Sequence, residues 1–372
     1  MQQRKARPWH RARWIVLTLI SVAAVLAFAL SARVSLASTP PNFTSVSETR
    51  QVQQNAKPLG HVMRVGLQVK NIYELTLSSQ SFMADGWYWL SWGDEVQTLL
   101  DKFRIPPSQI IEFANEIDPA NYSFSQVLEE PLRISPELTH SYYVKFSKKF
   151  FLNEIAQKYA PFDRQRLPID IEIMPHALSD NQPDNLVELL PFPIQQFPIA
   201  GEFASMIGFR LTNTGWLRQL VYYGEPNKAS YSRATAIFTF SPQTWTVFLK
   251  WLLPLIVVMT IVVLVPSIDA ILGDSRIAIA PAALLTLVIL HDNYRSNFPP
   301  APYLTFLDEI YAYSYLACLA IFLITLAGSN ALCRLQAEDK EAWSQRINRW
   351  DQVAQLSIIV GFIIVTIVAW YD

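Results

Sequence analysis

The sequence predicts an aqueous all-β domain followed by an all-α membrane domain of four helices. Hydrophobic residues make up 51% of the 372 residues and charged residues only 16%, against roughly 25% charged in an ordinary soluble domain. The apolar excess is concentrated in uncharged runs after residue 245, whereas residues 32–244 are polar, rich in proline and patterned like strands. This composition excludes a disordered chain, and a net charge of −1 excludes a highly charged nucleic-acid binder.

The N-terminal segment carries one further apolar run, at residues 14–30. Five basic residues precede it and predict a cytoplasmic N-terminus: Arg4, Lys5, Arg7, Arg11 and Arg13. Ser35-Leu36-Ala37 is typical of a cleavage site, so residues 1–37 are predicted to be a signal peptide. An uncleaved N-terminal anchor is the alternative, because the run is long for a signal core. Either way the next domain lies outside, after a polar leader at 38–57.

Residues 58–244 are predicted to form an antiparallel, immunoglobulin-like β-sandwich. Apolar and polar residues alternate over 65–69 and again over 169–173, the period of a half-buried strand. Prolines interrupt these runs at short intervals, and no long helical stretch lies between them, as is typical of a sandwich of short strands. The chain's two cysteines, Cys318 and Cys333, both fall in or beside a later apolar run, so no disulfide is expected here.

Residues 245–372 are predicted to be a membrane domain with helices at about 245–266, 275–297, 303–333 and 350–370. The second ends in His291-Asp292-Asn293, which lipid would not tolerate, so this end faces water inside a protein or the helix is a buried core helix. Four basic residues in the 334–352 loop predict that it is cytoplasmic: Arg334, Lys340, Arg346 and Arg349. We therefore expect a multi-pass protein of the plasma (inner) membrane, with the large domain and the C-terminus outside.

Motifs of catalysis are missing from the sequence. It has no glycine-rich phosphate loop, no HExxH, no GxSxG and no metal-spaced histidine or cysteine cluster. Asp163 beside Arg164 is interpreted as a loop ion pair, because one carboxylate without a base or a second acid does no chemistry. We expect no enzymatic activity, no cofactor and no metal site.

One stretch, Tyr159 to Leu167 (YAPFDRQRL), resembles the signature loop of the pentameric ligand-gated ion channels, the Cys-loop receptor superfamily. Asn153 and Leu167 stand where animal members have the two bridging cysteines, so the resemblance is to the bacterial branch, which lacks that bridge. The resemblance runs from about residue 60 to the C-terminus, and its other motifs follow in order: Trp92-Gly93-Asp94, Phe113-Ala114-Asn115, Trp251 to Leu255, Leu284 to Leu287, and Pro299 to Tyr303 with Asp308.

The sequence departs from the family at two places. Members usually carry an arginine just before the first membrane helix, where this chain has Ser241 to Thr244. Pro281 lies inside the second helix, where proline removes a backbone hydrogen bond and tends to kink. Both departures put the usual coupling and pore geometry in question.

Residues spaced four and three apart along helix 275–297 lie on one face of the helix. If five copies of the helix surrounded a fivefold axis, each such residue would form a ring of five identical side chains. Small residues lie at its cytoplasmic end, Leu285 and Ile289 form an apolar waist, and polar residues follow, which suits a water-filled funnel. The predicted pore-lining residues are Asp274, Ala278, Ala282, Leu285, Ile289, Asp292 and Ser296. An ordinary bundle helix is the alternative, and Leu284 is expected on the packed side.

Ion selectivity is predicted from the charges near the pore mouths. Rings of Asp274 and Asp292 would favour cations, while Arg276 close by would oppose them. Asp274 is also a natural helix N-cap residue, which needs no channel to explain it. We expect a cation-selective pore.

The resemblance implies a ligand site between neighbouring outer domains. Trp87 matches the aromatic residue of the complementary face, and Tyr222, Tyr223 and Tyr231 belong to the hairpin that caps the principal face. Such rings would hold a small amine through cation–π contacts, although they could equally be surface or core aromatics. Protons are the rival agonist, through His291 within a membrane helix.

The resemblance also implies that the signature loop couples ligand binding to the pore. Pro161, Phe162 and Asp163 are expected to contact Phe298 to Tyr303, including Pro299. The predicted function is a homopentameric channel opened by an extracellular ligand or protons. Its partners are copies of itself, the ligand, permeant ions and membrane lipid, with no nucleic acid. The alternative is a non-conducting periplasmic receptor with the same fold.

Overall fold

The computed structural model of the chain confirms a β-rich N-terminal part followed by four long apolar helices. It describes residues 49–52, 60–117, 124–127, 137–179, 183–204, 206, 208–223, 229–334 and 337–371. The predicted signal peptide at 1–37, and the leader at 38–57 apart from residues 49–52, lie outside this range. The described residues form two compact units, which we call the β unit (49–156 and 164–243) and the helical unit (157–163 and 244–371).

The β unit contains two sheets. The first has the strand order β1-β10-β11-β7-β4, and the second has the order β5-β6-β3-β2-β8, with β9 paired to β2. The strands are β1 Thr49–Val52, β2 His61–Thr76, β3 Ser81–Trp92, β4 Ile111–Phe113, β5 Phe124–Val127, β6 His140–Phe151, β7 Gln165–Ile173, β8 Val187–Pro191, β9 Ala200–Phe203, β10 Phe209–Tyr222 and β11 Ser230–Pro242. A helix, α1 (Asp94–Phe103), follows β3.

Two features of the β unit differ from the prediction. Strands β8 and β9 run parallel to β2, so the unit is not wholly antiparallel. The chain reaches β8 by a crossover from β7 in the other sheet, and a crossover, unlike a hairpin, allows parallel pairing. The second difference is α1, which buries Val96, Leu99 and Leu100 at helical spacing.

The two sheets share one hydrophobic core. Alternate residues of β2 from Met63 to Val69, and of β7 from Leu167 to Ile173, are buried in the same cluster. Each strand thus turns one set of its side chains inward, as the period of two requires. The inward-facing apolar residues predicted at 65–69 and 169–173 are confirmed, but Asp170 and Glu172 are buried as well, at 6% and 2% exposed, so β7 is not half-buried over 169–173 as expected.

Asn115, buried just after β4, joins three backbone segments through its side-chain amide. Its nitrogen donates to the carbonyls of Phe151, at 3.0 Å, and Pro168, at 2.9 Å. Its oxygen accepts from the backbone N–H of Asp170 at 3.0 Å. Because Phe151 ends β6 and Pro168 lies in β7, one side chain holds both ends of the intervening segment together.

The helical unit contains α2 (Thr244–Val247), α3 (Leu253–Leu264), α4 (Gly273–Arg295), α5 (Phe306–Cys333) and α6 (Ala337–Tyr371). Residues Phe248–Leu252 between α2 and α3 form a π-helical turn, in which the N–H of Leu253 donates to the carbonyl of Phe248. With this turn included, the four segments long and apolar enough to cross a membrane are Thr244–Ser267, Gly273–Arg295, Phe306–Cys333 and Ala342–Tyr371.

Helix α6 begins 13 residues earlier than about 350, where the fourth helix was expected to start. The predicted start of this helix was placed where the apolar run begins. An apolar run indicates contact with lipid, whereas helix formation depends on the helix propensity of the residues. The residues that follow 336 include alanine, glutamate, lysine and glutamine, which are good helix formers. Most of the predicted 334–352 loop is therefore helix.

Candidate functional site: a helix face, a loop and a ring cluster

Helix α4 has one face that packs within the helical unit and one that does not. The buried residues recur at steps of three, four and seven: Gly273, Arg276, Ala280, Ala283, Leu287 and Tyr294. The residues predicted to line a pore are all exposed: Asp274, Ala278, Ala282, Leu285, Ile289, Asp292 and Ser296. The two apolar waist residues are the most open large side chains of the helix, Leu285 at 64% and Ile289 at 61% exposed.

The expectation that Leu284 is on the packed side is wrong. Its side chain is 36% exposed and lies at the flank of the open face, whereas Leu287 is completely buried. Helix α4 continues through Pro281, which is exposed. The proline therefore does not turn the predicted face away from solvent.

Two charges near the start of α4 point in different directions. Asp274 is exposed in the first turn of the helix. Arg276 is 2% exposed and forms an ion pair with buried Asp351 of α6, with nitrogen and oxygen 2.5 Å apart. The open face therefore carries the carboxylate at this end without the neighbouring guanidinium.

The other end of α4 is tied to α5 by a polar cluster around Asp308. His291 Nε2 lies 2.9 Å from Asp308 Oδ1, and His291 Nδ1 lies 2.8 Å from the Tyr315 hydroxyl. Arg295 Nε donates to the same carboxylate oxygen at 3.1 Å, and the N–H of Thr305 donates to Oδ2 at 3.1 Å. His291 thus faces α5, and its polarity is matched by protein groups.

The loop 157–163, which contains Pro161, Phe162 and Asp163, belongs to the helical unit. The Tyr294 hydroxyl of α4 donates to the Ala160 carbonyl at 3.3 Å. The N–H of Phe306, at the start of α5, donates to the Lys158 carbonyl at 2.9 Å. Backbone atoms of the loop therefore bond directly to two of the membrane helices.

Phe162 packs against aromatic rings at two helix ends. Its ring centre lies 6.2 Å from that of Phe306 and 6.1 Å from that of Trp370, near the end of α6. In the 298–303 linker, burial and then the Asp163 carboxylate raise the pKa of Tyr303. Pro299 is buried and Tyr303 is exposed.

A cluster of rings lies in the β unit near the β10–β11 hairpin. The Tyr231 hydroxyl is 2.9 Å from His176 Nδ1, and the Tyr223 and Tyr231 rings have centres 5.7 Å apart. Tyr223 donates to Glu172 Oε2 at 3.2 Å, and Arg233 Nε donates to the same oxygen at 2.7 Å. A carboxylate, a guanidinium and three rings thus form one continuous set, which we call the ring cluster.

Burial governs the electrostatics of the ring cluster. It raises the pKa of the Glu172 carboxyl, although the charge of Arg233 acts in the opposite direction. Burial and the neighbouring Glu172 carboxylate raise the pKa of Tyr223 to about 12. The Tyr223 phenol is therefore protonated near neutral pH and serves as a donor.

Sequence reasoning missed His176, Glu172 and Arg233. Glu172 follows the alternating pattern of β7 as an outward-facing residue, and Arg233 lies opposite it in the register of β7 and β11. A cross-strand pair of opposite charges is a detectable signal only once the register is known. His176 follows β7 with no pattern that distinguishes it.

Within a single chain, Trp87 does not belong to the ring cluster. Trp87 is half-buried on β3, opposite Gln68 of β2 and Lys145 of β6, in the sheet that does not contain β10 and β11. Tyr222 is half-buried at the end of β10. The hairpin tip at 224–228 lies outside the described residues.

The described residues define a membrane protein in which a two-sheet β unit precedes four helices able to span a bilayer. No protein-family model matches the sequence, and a search of curated proteins gives no match.

Proposed function

We propose that this chain is a homopentameric ion channel of the pentameric ligand-gated type. Its β unit is an immunoglobulin-like sandwich outside the plasma membrane, and α4 lines the pore. The observation that supports this most is the open face of α4, which includes every residue predicted to line the lumen, with others such as Ser275, Thr286 and Val288 exposed beside them.

The chemistry of that face favours water over lipid. The first membrane segment exposes Thr244, Thr246 and Lys250 near its start, and from Leu253 onward it exposes only large apolar side chains: Leu253, Val257 and Ile261. The open face of α4 instead carries Asp274 and Asp292 near its two ends. A carboxylate facing hydrocarbon is costly, whereas one facing a water-filled cavity is not. Five copies of the face would enclose such a cavity, with the Leu285 and Ile289 rings as its apolar constriction.

The charge arrangement supports a preference for cations. Arg276 is buried and paired with Asp351, so it does not oppose a ring of exposed Asp274 carboxylates. In a salt gradient we expect a reversal potential close to the cation equilibrium potential. A reversal potential near that of chloride would contradict the assignment.

The agonist is proposed to bind at the ring cluster, completed by Trp87 of a neighbouring copy. The Tyr223 and Tyr231 rings and the Glu172 carboxylate are suited to a small amine, through cation–π and ionic contacts. Protons are the other candidate, because His291 and Asp308 form an ionisable pair between α4 and α5. Loop 157–163 would transmit the signal, since it bonds to α4 and α5.

The decisive experiment records current from the purified chain in lipid while pH is stepped and small amines are then added. Leu285→Ser should raise the spontaneous current or lower the agonist needed, because a polar ring lets water into the constriction. Leu287→Ser is the matched control: its side chain is fully buried, so it should damage folding without opening the pore. Current that Leu285→Ser leaves unchanged would show that this face does not line the pore.

A non-conducting receptor with the same fold is the alternative. The missing arginine at 241–244 and Pro281 inside α4 both favour it. Such a receptor would bind an amine and show no single-channel current under any pH or ligand. Binding measured in the same preparation therefore separates the two functions.

A further inference from the structure

Strand β1 covers only one end of the edge of the first sheet. It pairs antiparallel with β10, from Thr49 opposite Val221 to Val52 opposite Arg218. The rest of that edge of β10, Phe209–Leu217, pairs with no other strand among the residues that the structure describes. The covered residues therefore lie at the end of β10 that leads into the β10–β11 hairpin.

The covered stretch joins a fixed part of β10 to the ring cluster. At one end, the Arg218 guanidinium forms a buried ion pair with Glu188 of the second sheet, with nitrogen and oxygen 2.9 Å apart. At the other end, Val221 lies opposite Tyr231 of the ring cluster and is followed two residues later by Tyr223. Strand β1 thus spans the step from the anchored part of the sheet to the residues that carry the rings.

The ring cluster is closed on itself while β1 is paired. The same carboxylate oxygen of Glu172 accepts hydrogen bonds from the Tyr223 hydroxyl and from Arg233. An amine that pairs with this oxygen must displace the Tyr223 hydroxyl. A shift of the end of β10 would do so, because Tyr223 directly follows that strand.

A strand as short as β1 can open without unfolding the β unit. An antiparallel ladder over four residues supplies about four backbone hydrogen bonds at most. Opening such an edge costs far less than global unfolding. Strand β10 is also paired with β11 from Phe209 to Tyr222, so release of β1 would free one edge of β10 and leave the two sheets intact.

We propose that β1 is an autoinhibitory latch on the ring cluster. Paired with β10, it holds the hairpin end where Tyr223 and Arg233 occupy the Glu172 carboxylate, and its release lets a small amine reach that group. The inference rests on the proposed amine site at the ring cluster but not on ion conduction. It assigns the regulation of that site to the N-terminal strand of the same chain.

Proline substitution tests release of the latch in the purified full chain. In an antiparallel pair, successive N–H groups point alternately toward and away from the neighbouring strand, so only one of Arg50→Pro and Gln51→Pro removes a ladder hydrogen bond. The other variant is the matched control. For one bond lost, amide hydrogen exchange of Arg218 to Val221 should become about five-fold faster, and the affinity for ethylamine measured by calorimetry should rise about five-fold.

A disulfide tests the closed latch. Gln51 and Gln219 are directly opposite in the register, and the Cα atoms of such a pair are about 4.5–5.5 Å apart, within the range of a disulfide. In a Cys333→Ser background, which removes the exposed native thiol, oxidised Gln51→Cys/Gln219→Cys should bind ethylamine about five-fold more weakly. Reduction should restore the affinity, and Gln219→Cys alone is the control.

Wild-type ethylamine affinity in both proline variants and in the oxidised disulfide variant would overturn the latch. A disulfide-linked dimer on a non-reducing gel would overturn it too, because β1 would then pair with another copy. If none of the proteins binds ethylamine, the latch and the amine site are both wrong. Ethylamine affinity that follows the latch without any current would support the latch and contradict the channel, whereas ethylamine-evoked current that no variant alters would do the reverse.

Discussion

Asn115 is expected to be one of the most sensitive polar positions of the β unit, and Asn115→Ala tests this. The substitution removes three hydrogen bonds of 2.9–3.0 Å at a side chain only 6% exposed. Each bond contributes about 1 kcal/mol net, so the free energy of unfolding should fall by about 3 kcal/mol. For a unit of this size, that corresponds to a decrease in Tm of roughly 6–12 °C.

The assay is thermal unfolding of the purified full chain, followed by tryptophan fluorescence. Asn153→Ala is the matched control, because Asn153 is exposed in the segment whose ends Asn115 holds. Asn115→Asp should be at least as destabilising as Asn115→Ala, since a carboxylate oxygen would face two carbonyl oxygens. If Asn115→Ala and Asn153→Ala unfold at the same temperature, the amide does not hold the segment.

Three further predictions concern the helix ends, the ring cluster and the pore mouth. Phe162→Ala should shift the agonist response several-fold to higher concentration, because ring contacts of about 0.5–1.5 kcal/mol are lost. Size-exclusion chromatography should still show the oligomer. Loss of the oligomer would indicate that Phe162 has a folding role only. Burial raises the pKa of Glu172, so its contribution to stability is largest below its ordinary pKa and is lost as pH rises. The decrease in Tm between about pH 4 and pH 7 should therefore be smaller in Glu172→Gln, and an unchanged pH dependence would contradict this. Asp274→Asn should move the reversal potential toward that of chloride, and no shift would remove this residue from the selectivity argument.

Sequence reasoning succeeded where hydrophobicity alone decides the outcome. Uncharged runs long enough to cross a bilayer identified the membrane helices, because lipid requires apolar side chains and internally bonded backbone. The open face of α4 followed from steps of three and four, because helical geometry distributes side chains regularly. Leu284 was misplaced because it lies at the flank of that face, where one residue of rotation changes the assignment.

Features that depend on distant partners could not be predicted. The parallel pairing of β8 and β9 with β2 is set by a crossover between sheets, not by local sequence. The ion pair of Glu172 with Arg233 requires the register of β7 and β11. The start of α6 at Ala337 was missed because hydropathy reports contact with lipid, whereas the polar turns of this helix are formed by residues of high helix propensity.

The π-helical turn at Phe248–Leu252 has a consequence for how this segment tolerates changes in length. A wide turn holds one more residue than a regular helical turn. It ends at Leu252, two residues before Pro254, which has no N–H to donate. Deleting one residue here would convert the turn to regular helix with little rotation of α2 relative to α3, whereas deleting one residue from the regular helix of α3 would rotate the flanking parts by about 100°. The stacked Trp245 and Phe248 rings, 5.5 Å apart, span the beginning of that turn. The segment can therefore lose one residue at this turn while Trp245 keeps nearly the same angular position relative to α3.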